Sequence, residues 1–262
     1  MKLSRELNAI ATIATRDLVR FLNDRARFLA SFIFPLVFVG ILGGTSQASL
    51  GKAVGFDFLL FTFTGVLAQT LFQSTASGII SLVQDREQNF SQEMFIAPVT
   101  RFSILFGKIL GESLVSLAQF IGICVMGFFL QINFGISDII RIIPAAILVC
   151  IFGGAFGLLV LSNLKDQRMA TQIFPFIMFP QFFLAGVFTP ITNLPPYLFL
   201  LSRIAPMTYE VDFVRSIYYW GSPEYSKVVL YNPITNLVIM AVLFLIFTSI
   251  GTWVFVRNER NR

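Results

Sequence analysis

Few residues in this chain are of a type that does chemistry, and their spacing rules out most of it. There is no histidine, and neither an HExxH nor a GxSxG pattern occurs, so metallo- and triad-type catalysis have no visible residues. The two cysteines, Cys124 and Cys150, sit inside apolar blocks. They offer no disulfide framework and no metal-ligand spacing, and read as small core residues. Gly51-Lys52 and Gly107-Lys108 lack the upstream glycine and the following Ser or Thr of a phosphate-binding loop. No metal, cofactor or nucleic acid is therefore expected on this chain. Asn89-Phe90-Ser91 matches a glycosylation acceptor but falls on the side assigned below to the cytoplasm, and is discounted. What remains is Lys108 and Glu112, one helical turn apart, which could pair with each other or snorkel to an interface. The polar, proline-bearing stretch QNFSQEMFIAPVTRF at residues 88–102 also stands out.

The elements that would carry these residues are apolar and long. Of 262 residues 56% are apolar and only 13% charged, and 31 are phenylalanine, in blocks long enough to cross a bilayer. The expected fold is an all-α integral membrane protein, because lipid leaves only helices or a closed barrel to satisfy the backbone. Six spans are marked: Phe28–Gly44, Phe58–Val83, Phe102–Leu130, Ile139–Leu161, Ala170–Phe188 and Ile234–Val256. The chain reads as one permease domain over 1–262, with an N-terminal segment (1–27), a six-helix bundle (28–256) and a short tail (257–262).

Fourteen of the nineteen Lys and Arg residues fall in the N-terminal segment, the second and fourth loops and the tail. By the positive-inside rule those are cytoplasmic, with both termini inside. Leu3, Leu7, Ile10, Ala14, Leu18 and Phe21 recur at helical intervals, which predicts an amphipathic helix in the membrane interface, as an anchor to anionic lipid or a partner contact. The first span, starting only near Phe28, is expected to remain in the mature protein. Prolines 190, 195, 196 and 206 cut the last outer loop into two short apolar pieces, about Tyr197 to Ile204 and Met207 to Trp220. All six tyrosines lie there, which predicts a re-entrant outer segment, with plain loop packing as the alternative. Ionisable groups are nearly absent from the spans, which argues against a proton- or sodium-coupled carrier.

Read as a helix from about Asp85 to Ala97, the second loop places Phe90, Met94 and Ala97 on one stripe beside Asn89, Gln92 and Glu93. Pro98 stops it, and Thr100 can cap the span that follows. Such a helix suits either an interfacial position on lipid or a surface on which something outside the membrane pushes.

At these residues the sequence resembles a family. DREQNFSQEMFIAPVTRFSILFGKIL is similar to the region after the second span in permeases of the type-2 ABC exporter class, where an Arg-Glu pair, a later Glu, and Ala-Pro followed by Thr/Ser-Arg mark the coupling helix. FFLAGVFTPITNLPPYLFLLSRIAPMTYEVDFVR, residues 182–215, resembles that family's pattern after the fifth span, here Gly186, Pro190, Pro195, Pro206, Tyr209 and Arg215. The resemblance implies a cytoplasmic coupling helix with Asp85, Arg86, Glu87, Phe90, Glu93, Met94, Phe95, Ala97, Pro98 and Arg101 meeting a separate ABC ATPase, which would bind ATP and Mg. It also implies a second permease copy or a sister permease, and location in the inner (plasma) membrane of a prokaryote. Candidates for the translocation path are Phe61, Phe63, Gln69, Phe72 and Gln73 on the second span. Phe174, Phe176, Met178, Phe179, Gln181 and Phe182 are those on the fifth. Each, taken singly, also fits helix packing or lipid contact. A wall of Phe and Met with a few amides suits a hydrophobic or amphipathic, drug-like cargo moved outward. Lipid-linked glycan export within the class, and an ion-coupled carrier or channel outside it, are the alternatives.

Overall fold

The computed structural model describes residues 2–87, 100–161, 164 and 166–260, and among these there is no strand. Helix α1 spans Lys2–Asn23. It stops at Asp24, whose carboxylate accepts the Arg27 N–H and caps α2, Arg25–Ala30. The chain then runs through a turn at Ile33–Pro35 and wide π-type turns at Leu36–Gly43 into α3, Gly44–Val54. Pro35 has no N–H to give the turn before it, a local cause for the slipped register.

Asp57 opens α4, Phe58–Gly78, by accepting from the N–H groups of Leu59 and Leu60. After a break at Ile79 the chain continues as α5, Ile80–Glu87. Thr100 caps α6, Arg101–Phe129, accepting from the Ser103 N–H as its sequence position predicts. Next come α7, Ile136–Leu161, and α8, Gln167–Leu184, capped by Asp166. Two short helices follow, α9 at Pro196–Ser202 and α10 at Pro206–Tyr218, each with proline in its first turn, where a missing N–H costs nothing. A single turn, α11 at Tyr225–Val228, leads to α12, Pro233–Arg260.

Among the described residues, five helical stretches are long and apolar enough to cross a membrane: Arg25–Ser49, Phe58–Gln84, Phe102–Phe129, Ile136–Leu161 and Tyr225–Val254. The fifth expected span, Ala170–Phe188, differs. Its helix is 18 residues long, begins on Gln167-Arg168 and carries Gln172 and Gln181, so its length and composition do not mark it as the others are marked.

Helices α4 and α7 form the centre of the bundle, with α6, α10 and α12 packed around them. Glycines set the spacing. A Cβ at Gly153 would stand 2.6 Å from the Phe72 carbonyl oxygen, and one at Gly157 would stand 2.8 Å from the Ala76 Cα. The two backbones therefore meet directly, as small-residue motifs allow in membrane bundles. Helix α10 is inserted between α4, α7 and α12, and residues 207–216 are buried along its length.

Candidate functional site

The base of the bundle, where α5 leads toward residue 88 and α6 begins, is held by charge. Helix α1 does not rest free: it lies along the first half of α6, in the most extensive helix–helix contact among the described residues. Gly107 and Gly111, one turn apart on α6, let it approach. A Cβ at Gly107 would be 3.1 Å from the Ile10 Cα, and one at Gly111 would be 3.1 Å from the Ala14 Cα. At one end Glu6 accepts the Thr100 N–H at 3.1 Å and the Thr100 hydroxyl at 3.1 Å. Hydrogen bonds from Ser103 and from the Thr100 N–H favour the ionised form and hold the Glu6 carboxyl below its ordinary pKa. In the middle, Lys108 Nζ lies 2.9 Å from Asp17 Oδ2.

This corrects the expectation for Lys108. Only 2% exposed, it does not snorkel, and it ties α6 to Asp17 of α1, a carboxylate to which the sequence pattern assigns no role. Glu112, 3% exposed, turns toward the junction of α4 and α5. Its carboxylate fills the space a Cβ at Gly78 would need, and its Oε1 accepts from the Ser81 hydroxyl at 3.1 Å. One turn of α6 thus grips α1 on one side and the α4–α5 break on the other. Among the coupling candidates, Asp85, Arg86 and Glu87 close α5 and Arg101 opens α6. Phe90, Glu93, Met94, Phe95, Ala97 and Pro98 lie outside the described residues.

At the opposite end, Arg215 organises the segment before the last span. Its Nη1 donates to the Gly186 carbonyl at 2.7 Å, and its Nη2 to the Phe61 and Val187 carbonyls at 3.0 Å each. The guanidinium carbon stands 3.6 Å from the Phe61 ring centroid, an arginine-on-aromatic contact. Gly186 has φ +72, a conformation that favours glycine. A Cβ there would also meet Ile191 Cγ1 at 2.5 Å. Tyr209 donates its hydroxyl to the Arg203 carbonyl at 2.6 Å, and Pro190, Pro195 and Pro206 each stand at or beside the start of a short helix. Asp212 accepts from the N–H groups of Leu230 and Tyr231 and from Asn236 Nδ2, at 2.7 to 2.8 Å. Glu210 is fully buried and neither carboxylate oxygen has a hydrogen-bond partner. From sequence, Glu210 and Asp212 counted only as loop charges, and Arg215 as a member of the family pattern with no partner assigned. Their burial depends on α10 entering the bundle, and the near-continuous apolar spacing around Tyr209, Val211, Phe213 and Val214 was the available signal.

The path candidates do not share one surface. Phe61, Phe63, Gln69 and Phe72 are fully buried: Phe61 lies under Arg215, Phe63 against Phe134, and Phe72 against Phe152 and Phe156. On α8, Phe174, Met178, Gln181 and Phe182 are buried, whereas Phe176 is 82% exposed and Phe179 is also exposed. Gln181 Oε1 accepts from the Met207 N–H at 3.4 Å, which joins α8 to the start of α10. Gln73 alone of the set opens onto a cleft of about 360 Å³. That cleft lies between the first span and helices α4 and α6, with Ser31, Phe34 and Pro35 on one wall and Thr70, Ser74 and Ser77 on another. Arg27 stands at its margin and Gln119 at its back.

A fold with two glycine-mediated helix contacts, a charged base beside residues 88–99 and an arginine-anchored insert before the last span matches one family along most of its length. The description "ABC-2 type transporter" matches residues 8–219. The chain is 23% identical over 210 residues to the inner membrane transport permease YadH of Escherichia coli K12, covering 79% of this chain and 81% of that one. It is 24% identical over 203 residues to ycf38 of Cyanophora paradoxa, named as a transport permease, covering 76% and 70%. Over a shorter stretch of 141 residues it is 29% identical to YbhR of Escherichia coli K12, named as a probable multidrug ABC transporter permease, covering 53% and 38%. The chain belongs to the ABC-2 type transporter family, a multi-pass membrane permease subunit of an ABC transporter, not itself a catalyst, whose family membership implies an ABC ATPase partner.

Proposed function

We propose that this chain is the membrane half of an ATP-driven exporter that moves a hydrophobic or amphipathic small molecule outward. A separate ATPase would supply the force. Two copies, or this chain with a sister permease, would enclose the path, with α8 as a sixth span and both termini on the ATPase side of a prokaryotic inner membrane. The α9–α10 segment would be the re-entrant outer part.

One observation carries this reading. The helices flanking residues 88–99 are fastened at the base by Glu6–Thr100, Asp17–Lys108 and Glu112–Ser81. A push delivered between α5 and α6 would move α1, α4 and α6 together instead of bending one of them, as a rigid-body switch requires. The name of YbhR supports a drug-like cargo. The cleft lined by hydroxyls and amides favours an amphiphile with a polar head, the feature that also keeps lipid-linked glycan export as a second reading.

The test is co-purification with the partner ATPase, followed by cargo-stimulated ATP hydrolysis and transport in liposomes across a panel of compounds. Glu93→Arg is expected to leave membrane insertion intact and to uncouple transport from hydrolysis. Normal transport by that variant, or uphill transport by the permease without any ATPase, refutes the reading.

A further inference from the structure

The cleft between the first span and helices α4 and α6 has an unusual chemistry for its place. Thr70, Gln73, Ser74 and Ser77 recur at i, i+3, i+4 and i+7 on α4 and so form one face of a helix apolar enough to cross a membrane. A polar helix face in hydrocarbon is costly unless protein, water or a polar ligand meets it. Here it meets the cleft, at whose margin the exposed Arg27 stands.

The hydrogen-bonding inventory points to the ligand. Gln73 Oε1 is taken by Gln69 Nε2 at 3.0 Å, which leaves the Gln73 N–H groups without a partner among the described residues. The Ser74 hydroxyl and the Arg27 guanidinium likewise have no hydrogen-bond partner among them. At the back, Gln119 is only 7% exposed and its Oε1 is unpartnered, a buried polar group that ordinarily has something to bind. Among the described residues no acid lines the cleft. Among the described residues, spare donors, one cation and no lining acid make a site for an acceptor-rich anion. Phe34 and Pro35 on the facing wall supply apolar surface for something attached to it.

We propose that this cleft binds the phosphate-bearing head of an amphiphile drawn from the adjoining leaflet, with Arg27, Gln73 and Ser74 on the phosphate and Gln119 on a neighbouring hydroxyl. The proposal deepens the exporter reading, on which it rests for the passage of the ligand. Its binding step needs no ATP, so it succeeds or fails apart from transport.

The experiment titrates the purified full-length chain in detergent with dihexanoyl phosphatidylglycerol by calorimetry. Dihexanoylglycerol and inorganic phosphate are the comparison probes. Saturable binding of the phospholipid is expected, with weak binding of the other two. Arg27→Gln and Ser74→Leu are each expected to weaken it by roughly ten- to a hundredfold, the range for one charge-assisted hydrogen bond. Equal binding of dihexanoylglycerol would show that the head is not read. Full competition by inorganic phosphate at equal concentration would make this a free-anion site. Unchanged affinity in both variants would place any binding elsewhere, and quantitative cross-linking of Ser74→Cys between two copies in membranes would show that a second permease fills the cleft. Each of these four results overturns the proposal. Gln73→Leu serves as a further variant should Arg27→Gln fail to fold.

Discussion

The docking of α1 on α6 can be tested by adding bulk where the two backbones meet. A Cβ at Gly111 would lie 3.1 Å from the Ala14 Cα, 3.1 Å from Asp17 Oδ2 and 3.2 Å from Asp17 Cβ. Ordinary contacts begin near 3.4 Å, so Gly111→Ala asks the helices to part by a few tenths of an ångström and is expected to cost little. Gly111→Leu adds three further carbons against backbone that cannot turn aside. Overpacking of that kind costs about 1–3 kcal/mol, which raises the undocked fraction of α1 by roughly 5- to 150-fold. The gain in helix propensity on removing glycine, about 1 kcal/mol, acts within α6 and leaves the docking unaffected. Undocking also separates Asp17 from Lys108.

Trypsin cleavage at Arg16 and Arg20 reads the effect, because cleavage follows the open population when reclosing outpaces the protease. Gly40→Leu is the control: nothing lies within 4 Å of a Cβ there, and the cleavage rate should stay unchanged. Equal cleavage of Gly111→Leu and wild-type protein would refute the close approach and, with it, the proposed shared movement of α1 and α6.

Arg215→Met should lower the midpoint of unfolding in a dodecyl sulfate titration, because it strips donors from three carbonyls, at roughly 1–3 kcal/mol for each buried group left unpaired. An unchanged midpoint would mean the arginine does not anchor the insert. Glu6 gives a pH dependence. Its carboxyl is held below the ordinary 4.5 by its hydrogen bonds to Ser103 and Thr100, so its contribution to docking is complete above that value and is lost as pH falls through the lower, folded one. Trypsin is poorly active in that range, so pepsin cleavage of α1 is the readout. Cleavage should rise more steeply below pH 4.5 in the wild type than in Glu6→Gln, and parallel profiles would count against the contact.

Much of the architecture is written locally. Apolar runs longer than a bilayer, Asp57, Thr100 and Asp166 ahead of helices, and prolines cutting residues 190–206 into short helices all act within a few residues of chain. The sequence therefore marks the five long apolar stretches and the two family motifs. Even the position of α10 was close, expected from Met207 and observed from Pro206.

The partners of the charged groups were not legible. Asp17 and Lys108, Glu112 and Ser81, and Arg215 with the carbonyls of Phe61 and Gly186 are each brought together across long stretches of chain. Helical spacing suggested a partner for Lys108 one turn away, whereas the glycines at 107 and 111 admitted another helix with its own carboxylate. Nor does a phenylalanine's type say whether it packs inward like Phe72 or faces out like Phe176. Apolar composition in bilayer-length runs marked the chain as a membrane protein, and the types and spacing of its residues offered no visible catalytic set. Tertiary structure decided which buried charges lock the base and which polar face of α4 was left with room for a ligand, because ion pairing and burial depend on the distance between elements, which no local run of residues encodes.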